Sequence, residues 1–519
     1  MTSPGDDAPV NSWATLGILV VASSSACGSA SDQQGPVSIA ISSARTSTPA
    51  PLPLDGCKNA AECARGCEQQ HARSCGRLGE MYWRGAGAER VPLKARAALE
   101  RGCEMGDGDA CAALAQMQAE TGRAGAEVAA TAARACEAGS GAGCALLERM
   151  VRHGLDVPAD VARAEQLQSK ARELLTNSCD GGDAAACFRL ASLVWDSRVT
   201  DADEDATANL EERGKEAETR ACAHHDALAC AAAAGRDVWE AYGSEGESQE
   251  SLATRAALRR ACDLDAGRAC QLRAFQQDLD ANERHSLRAK ACALGQADAC
   301  HDASSDSLNA REEVILQRDC DAGYGDACTD LADLLLKAEA PPEEVDSART
   351  KARTAIVAAC RTGAGDCFLA ATLLEKGVDG PPDEKQALAM FDILCRANRA
   401  CGALAERLVK SNDPKTRARG IELSEAECNR EITSCAGLAE LYERGLATKK
   451  NPKRAAEIRA RMAKTFTEEC DRGWGSSCAE LSALYAAGLG VAKDPKKARQ
   501  LNEKACEHLV PESCAAIGP

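Results

Sequence analysis

After Cys27, the remaining 28 of the 29 cysteines fall into fourteen close pairs spread from Cys57 to Cys514, and no other feature limits the fold as strongly. Seven residues separate the partners in ten pairs: Cys67 with Cys75, Cys103 with Cys111, Cys136 with Cys144, Cys179 with Cys187, Cys222 with Cys230, Cys262 with Cys270, Cys292 with Cys300, Cys320 with Cys328, Cys470 with Cys478 and Cys506 with Cys514. Six separate Cys360 from Cys367 and Cys428 from Cys435, and five separate Cys57 from Cys63 and Cys395 from Cys401. The first cysteines recur from Cys67 to Cys506 at a mean interval of about 37 residues, the period of an array of helical hairpins rather than of one globular core. The even count means that each copied unit closes on itself.

The unit is clearest in CAELSALYAAGLGVAKDPKKARQLNEKAC, from Cys478. Leu481, Leu484 and Tyr485 recur at helical spacing and predict a first helix with one apolar stripe. Gly488-Leu489-Gly490 ends it, since glycine reaches the left-handed backbone of a helix terminus without strain. Asp494-Pro495 predicts an N-cap followed by proline at the first helical position, where no amide donor is lost. A second helix then carries Ala498, Leu501 and Ala505 inward. Residues 76–103 and 436–464 follow the same grammar, with Tyr82 and Tyr442 before an Arg-Gly turn, so Tyr82, Tyr442 and Tyr485 are expected in the core. Aromatic residues make up only 3% of the chain, so helices must pack closely on alanine and glycine. Residues 111–136, 270–292 and 300–320 are short and poor in the pattern, and irregular units are expected there.

Between paired cysteines the sequence reads as a helix end and a helix start, as in CEMGDGDAC (103–111), CDAGYGDAC (320–328) and CDRGWGSSC (470–478). Along one continuous helix such cysteines would lie about 12 Å apart, beyond the roughly 7 Å reach of a disulfide. A chain reversal removes that objection and lets each pair staple the second helix of one unit to the first helix of the next. Zinc is the other use of paired cysteines, but Cys-x2-Cys never occurs and the chain has only seven histidines, so His224 and His225 inside one pair are read as a polar turn. No metal or cofactor is expected. Tyr324 and Trp474 lie inside two of these turns, where they are expected to pack on the adjoining turn, the alternative being an exposed edge contact.

Disulfides need an oxidising compartment. Trp13 to Ala22 is a ten-residue apolar run followed by Ser-Ser-Ser-Ala-Cys27. This is similar to a lipoprotein signal peptide (1–27), which implies lipid attachment at Cys27, the one cysteine outside the pairs. It departs from that pattern in having no Lys or Arg before the run and Ser24 where leucine is usual; an ordinary cleaved signal is the alternative. The run is too short for a spanning helix, which needs about 20 apolar residues. Residues 28–56 read as a Ser/Pro/Ala-rich tether, and 57–519 as the repeat domain. A mitochondrial intermembrane-space location fits poorly, because transit peptides are Arg-rich and the first arginine here is Arg45.

Leu481 to Ala498, matching L-A-x-L-Y-x-x-G-x-G-V-x-x-D-x-x-K-A, resembles the Sel-like repeat, a relative of the tetratricopeptide repeat. With Ala-Cys and the spacing of seven at the junctions, residues 57–519 are similar to the Helicobacter cysteine-rich proteins. That resemblance implies an all-α, right-handed α-α superhelical solenoid of disulfide-stapled hairpins. It also implies protein partners on the concave face of a scaffold in the periplasm, outer membrane or cell surface, with the membrane reached only through a lipid anchor. Some members are described as penicillin-binding or weakly β-lactamase-active, which makes such a hydrolase the alternative function. The residues give that alternative no support: Ser-x-x-Lys, Lys-Thr-Gly, Gly-x-Ser-x-Gly and His-Glu-x-x-His are all absent, and no catalytic residue is assigned.

The net charge of −17 argues against wholesale nucleic-acid binding. The basic stretch 449–464 is read as the solvated face of one second helix, with a site for an anionic partner as the alternative. The acidic stretch 201–218 is read as a soluble loop between helices, since it lacks calcium-loop spacing.

Overall fold

The computed structural model describes residues 57–196, 201–236, 249–276, 279–301, 306–396, 401–508 and 510–517. The expected signal peptide and tether, and Cys27 with them, lie outside these residues. Among the described residues there is no strand; helices alternate with short loops in an all-α solenoid. Two compact units are distinguished, one ending at Ile393 and the other beginning at Leu394.

The hairpin at 475–507 shows why the repeat folds as it does. Its first helix, Gly475–Ala487, ends at Gly488 with φ of 75°, a backbone a side chain would strain. Asp494 accepts from the amides of Lys496 and Lys497, and Pro495 opens the second helix, Pro495–Glu507. The Asp494 amide donates to the Tyr485 carbonyl at 2.9 Å, which pins the loop across its own base. Val91 to Tyr82 and Asn451 to Tyr442 repeat that bond at 2.9 and 2.7 Å, so the loops 82–91, 442–451 and 485–494 share one conformation. Leu481, Leu484, Ala498 and Ala505 are buried between the two helices. Helices approach on small residues as expected: a Cβ at Gly79 would lie 2.5 Å from Leu99 Cγ.

Each junction reverses the chain inside a cysteine pair. Cys103 closes the helix Pro92–Glu104, Gly106 turns at φ of 92°, Asp107 caps the next helix through the amides of Asp109 and Ala110, and Cys111 begins Gly108–Glu120. The structure holds a disulfide in each of the fourteen pairs, with Cα atoms 4.3 to 5.0 Å apart. The second cysteine always stands in the first turn of the helix that follows the reversal. It is the fourth helical residue at Cys63, Cys75, Cys144 and Cys187, and again at Cys230, Cys270, Cys300 and Cys328. At Cys367, Cys401 and Cys435 it is the first, which is how the shorter spacings of these pairs still span a reversal. Between Cys428 and Cys435 a 3-10 turn, Ile432–Ser434, replaces the glycine turn.

Two regions differ from the sequence reading, and a third keeps it. Residues 111–136 belong to a regular hairpin of two 13-residue helices, Gly108–Glu120 and Gly125–Glu137. The single stripe is missing because Gly108–Glu120 is buried on several faces, with Ala112, Ala113, Ala115, Met117 and Ala119 all inside. The acidic stretch 201–218 is part of a 23-residue helix, Asp201–Ala223, rather than a loop. Its alanine and glutamate favour helix, and Gly214 lets the Phe188 ring pack against its backbone. At 270–292 and 300–320 the expected irregularity is a shortened first helix, eight residues in Gly267–Ala274 and five in Ala297–His301.

Within the unit that ends at Ile393 the stack curls until early hairpins touch later ones. Loop 85–90 is seated on two later disulfide turns: Gly267 N donates to Gly85 O at 3.0 Å, Gly87 N to Asp265 O at 3.2 Å, and Arg90 N to Leu294 O at 3.0 Å. The next loop follows suit, with Thr362 donating to Ala119 O at 3.0 Å and Gly323 against Thr121 O. At the start, Arg77 pairs with Asp226 at 2.6 Å. Loops of the first coil thus rest on the stapled turns of hairpins about five to seven repeats later.

Each disulfide closes a loop of about nine residues, which the chain-entropy account rates at roughly 2.6 kcal/mol. Replacing both cysteines of one pair (C470A/C478A) should therefore speed amide hydrogen exchange in the flanking helices 452–487 while distant hairpins keep their protection. Peptide mapping without reduction should return only neighbour pairings; one long-range pairing would refute the stapled-hairpin architecture.

Candidate functional site: an interaction surface

The paired cysteines sit at the hairpin junctions, nearly all buried, and hold helices rather than line a site. His224 and His225 are exposed, His225 with φ of 63°, and no group of three or more His, Cys, Asp or Glu side chains able to hold a metal occurs among the described residues. Tyr82, Tyr442 and Tyr485 are half-buried against the hairpin cores, their rings inward and their hydroxyls at the edge. The Tyr442 hydroxyl donates to Glu425 at 2.8 Å, and Lys497 Nζ donates to the Tyr485 hydroxyl at 2.7 Å.

The basic stretch 449–464 runs from a loop into the second helix Pro452–Asp471. Arg459 pairs with Glu443 at 2.5 Å and Arg454 with Glu457 at 3.4 Å. Arg461 donates to Asn429 Oδ1 at 2.9 Å and to the Cys428 carbonyl at 3.0 Å. Its arginines are thus engaged within their own unit, as the reading of a solvated helix face expects.

The two turn aromatics part company. Tyr324 is buried, as expected, but against a hairpin far away in sequence: Arg90 lies over its ring at 4.8 Å. Around it Arg90 pairs with Asp319, and Glu89 takes Arg311 at 3.2 Å and Arg318 at 3.3 Å. Glu120, beside the same ring, is pushed above the usual carboxylate range by burial, against the pull of the Gln116 amide bound to it at 3.2 Å. Trp474, in the equivalent turn, is 55% exposed. Sequence reasoning missed this contact because its partners are more than 200 residues apart and their spacing follows no local rule.

A cluster of acidic side chains gathers at two neighbouring hairpins. Asp326, Asp330 and Asp333 share one face of Gly325–Lys337 and gather with Asp298 and Glu312. Burial, then repulsion from Asp298, Asp326, Asp333 and Glu312, pushes Asp330 up to about 6. Burial also raises Glu312, which faces His301 Nδ1 at 3.4 Å. Leu336 on the flank of this face is 55% exposed, and Phe368 on the next first helix, Cys367–Lys376, is 52% exposed. Acidic and exposed apolar side chains thus lie on successive first helices of the stack.

The fold defines the chain as an α/α-hairpin repeat protein. The Sel1 repeat family matches four of its segments, residues 72–107, 364–398, 432–458 and 475–508, and these hairpins are similar to that repeat. Such repeats generally mediate contacts between proteins. Among solved structures, a protective antigen of uropathogenic Escherichia coli with an SLR fold is similar at 15% identity and a TM-score of 0.31, over 87% of this chain and 89% of that one. A Sel1 repeat protein from Oxalobacter formigenes is similar at 14% identity and a TM-score of 0.23, over 40% of this chain and 86% of that one. No curated protein matches the sequence.

The acidic face makes a pH prediction. A carboxyl whose folded value is raised is more easily protonated in the fold than in the unfolded chain, so its charge costs stability as pH rises through the ordinary carboxylate range towards about 6, and fully above that. Because Asp330 keeps part of its side chain in solvent, the cost is discounted to about 0.5 kcal/mol. D330N should raise the melting temperature near neutral pH and make no difference at about pH 4; equal effects at both would refute this origin.

Proposed function

We propose that the chain is an exported, lipid-anchored scaffold of the bacterial envelope that binds protein partners through the first helices of its hairpins. The observation that carries this is the acidic and apolar side chains of Gly325–Lys337 and Cys367–Lys376, first helices that are each tied at their start by a disulfide to the preceding second helix. A face of this kind takes a basic segment with apolar anchors; charge sets the encounter rate, and the anchors set how long the complex lasts. Rigid hairpins lose little entropy on binding, which favours recognition by a preformed surface. Fourteen disulfides support an oxidising, extracytoplasmic site. No helix among the described residues is long and apolar enough to cross a membrane, so an anchor at Cys27 is the route to a membrane that this reading needs.

Cross-linking in the native envelope followed by purification should recover protein partners. D326N/D330N/D333N and F368S should each lower that recovery, the charge variant most at low salt. Recovery unchanged in both would overturn the docking face, and turnover of a chromogenic β-lactam by the disulfide-intact, contaminant-free protein would overturn the scaffold in favour of a hydrolase. Mass spectrometry of the mature N-terminal peptide should find a lipid-modified Cys27; a mature N-terminus elsewhere would refute the anchor.

A further inference from the structure

The contact that closes the first coil has an unfilled counterpart in the unit beginning at Leu394. In the filled contact, a loop meets a stapled turn. Loop 82–91 supplies Glu89 and Arg90; turn 318–328 supplies Arg318, Asp319 and Tyr324, with Glu89 on Arg318, Arg90 on Asp319 and the Arg90 guanidinium over the Tyr324 ring. Ala86, just past the loop glycine, is fully buried where residues 85–87 of the loop meet the turn at 265–267.

Both halves recur among residues 442–478. Loop 442–451 has the conformation of 82–91: Asn451 N donates to Tyr442 O as Val91 N does to Tyr82 O, Gly445 and Gly85 are both left-handed, and Ala447 matches Gly87 in positive φ. Lys450 Cβ stands against Gly445 as Arg90 Cβ stands against Gly85, so Lys449 and Lys450 occupy the places of Glu89 and Arg90. Turn 468–478 repeats turn 318–328 position for position: Glu468 for Arg318, Glu469 for Asp319, Trp474 for Tyr324, with Lys504 on Asp471 as Lys351 is on Asp321. Here the apolar groups of both halves are open. Leu446, in the place of buried Ala86, is 48% exposed, and Trp474 is 55% exposed.

The charges have changed together. Glu89 facing Arg318 becomes Lys449 facing Glu468, a reversal on both sides that keeps the pair attractive. Arg90 facing Asp319 becomes Lys450 facing Glu469, which keeps the sign. The one discordant place is Arg461, which stands where Arg311 reaches Glu89, and it is turned onto Asn429 and the Cys428 carbonyl.

We propose that loop 442–451 of one copy of this chain seats on turn 468–478 of a second copy, with Lys449 on Glu468, Lys450 on Glu469, an ammonium over the Trp474 ring, and Leu446 covered. The template is the docking the chain already performs within its first unit, and a cation over a tryptophan face is the more favourable version of a cation over a tyrosine. Loop and turn are different patches, so the contact is head-to-tail and continues until a ring closes or the chain of copies ends. It concerns the edges of the hairpins and stands or falls apart from what the first-helix face binds.

Sedimentation velocity of the full chain at low salt should show association that grows from micromolar to near-millimolar concentration and weakens as salt rises. W474A should weaken it at least about tenfold. K449E/K450E and E468K/E469K should each be monomeric alone and associate when mixed, a rescue that a misfolded variant cannot give. With a photoreactive benzoylphenylalanine in place of Trp474 and a mixture of isotopically light and heavy copies, cross-links should join residue 474 of one copy to 442–451 of another. A monomer throughout the range, association indifferent to W474A, failure of the mixed variants to associate, or cross-links confined to single copies would overturn the proposal.

Discussion

Everything in this molecule depends on the reversal of the chain inside each cysteine pair. A helix cannot bring residues eight apart close enough to bond, so the helix must end, turn and restart between them. A glycine in the left-handed region does this at Gly106, Gly323 and Gly473. The disulfide then keeps the second helix of one hairpin against the first helix of the next. A repeat array touches mainly its neighbours and has no single large core, so a covalent tie at every junction restrains the opening that would otherwise begin anywhere along the stack.

The same turns do a second job. Being short, stiff and set at one edge of the stack, they form seats for loops that come round from earlier hairpins. Loop 85–90 offers its backbone amides and carbonyls to turns at 265–267 and 294, and its side chains to the turn at 319–324. Polar groups that would be lost to water on burial are thereby satisfied across the contact. The cost is visible in Glu120, whose carboxyl burial disfavours as an ion. The acidic face of Gly325–Lys337 carries a similar cost at Asp330, from burial and from the carboxylates around it.

Much of the hairpin could be read beforehand because its determinants are local. Asp494 and Pro495 start a helix wherever they occur together, Gly488 ends one, and Leu481 with Leu484 defines a face at helical spacing. Where local signals faded, the reading failed in an instructive way. Residues 111–136 looked irregular because Gly108–Glu120 has no polar side to contrast with its apolar one, a pattern that follows from being covered by two coils rather than one. Residues 201–218 looked like a loop because charge was read without helix propensity, although alanine and glutamate carry a helix well without a broad apolar stripe.

The amino-acid sequence by itself determined the repeat, the place of every reversal and the small-residue packing between helices, because each follows from interactions within about forty residues. Only the tertiary structure decided which of two equivalent aromatics is buried. Tyr324 and Trp474 stand in the same turn with the same flanking glycines, and nothing within their own hairpins separates them. Their fates differ because the curl of the stack carries Arg90 onto one, while the other stays open in its unit. Curl accumulates from small rotations at every junction, so it is a property of many hairpins together, and no single segment states it.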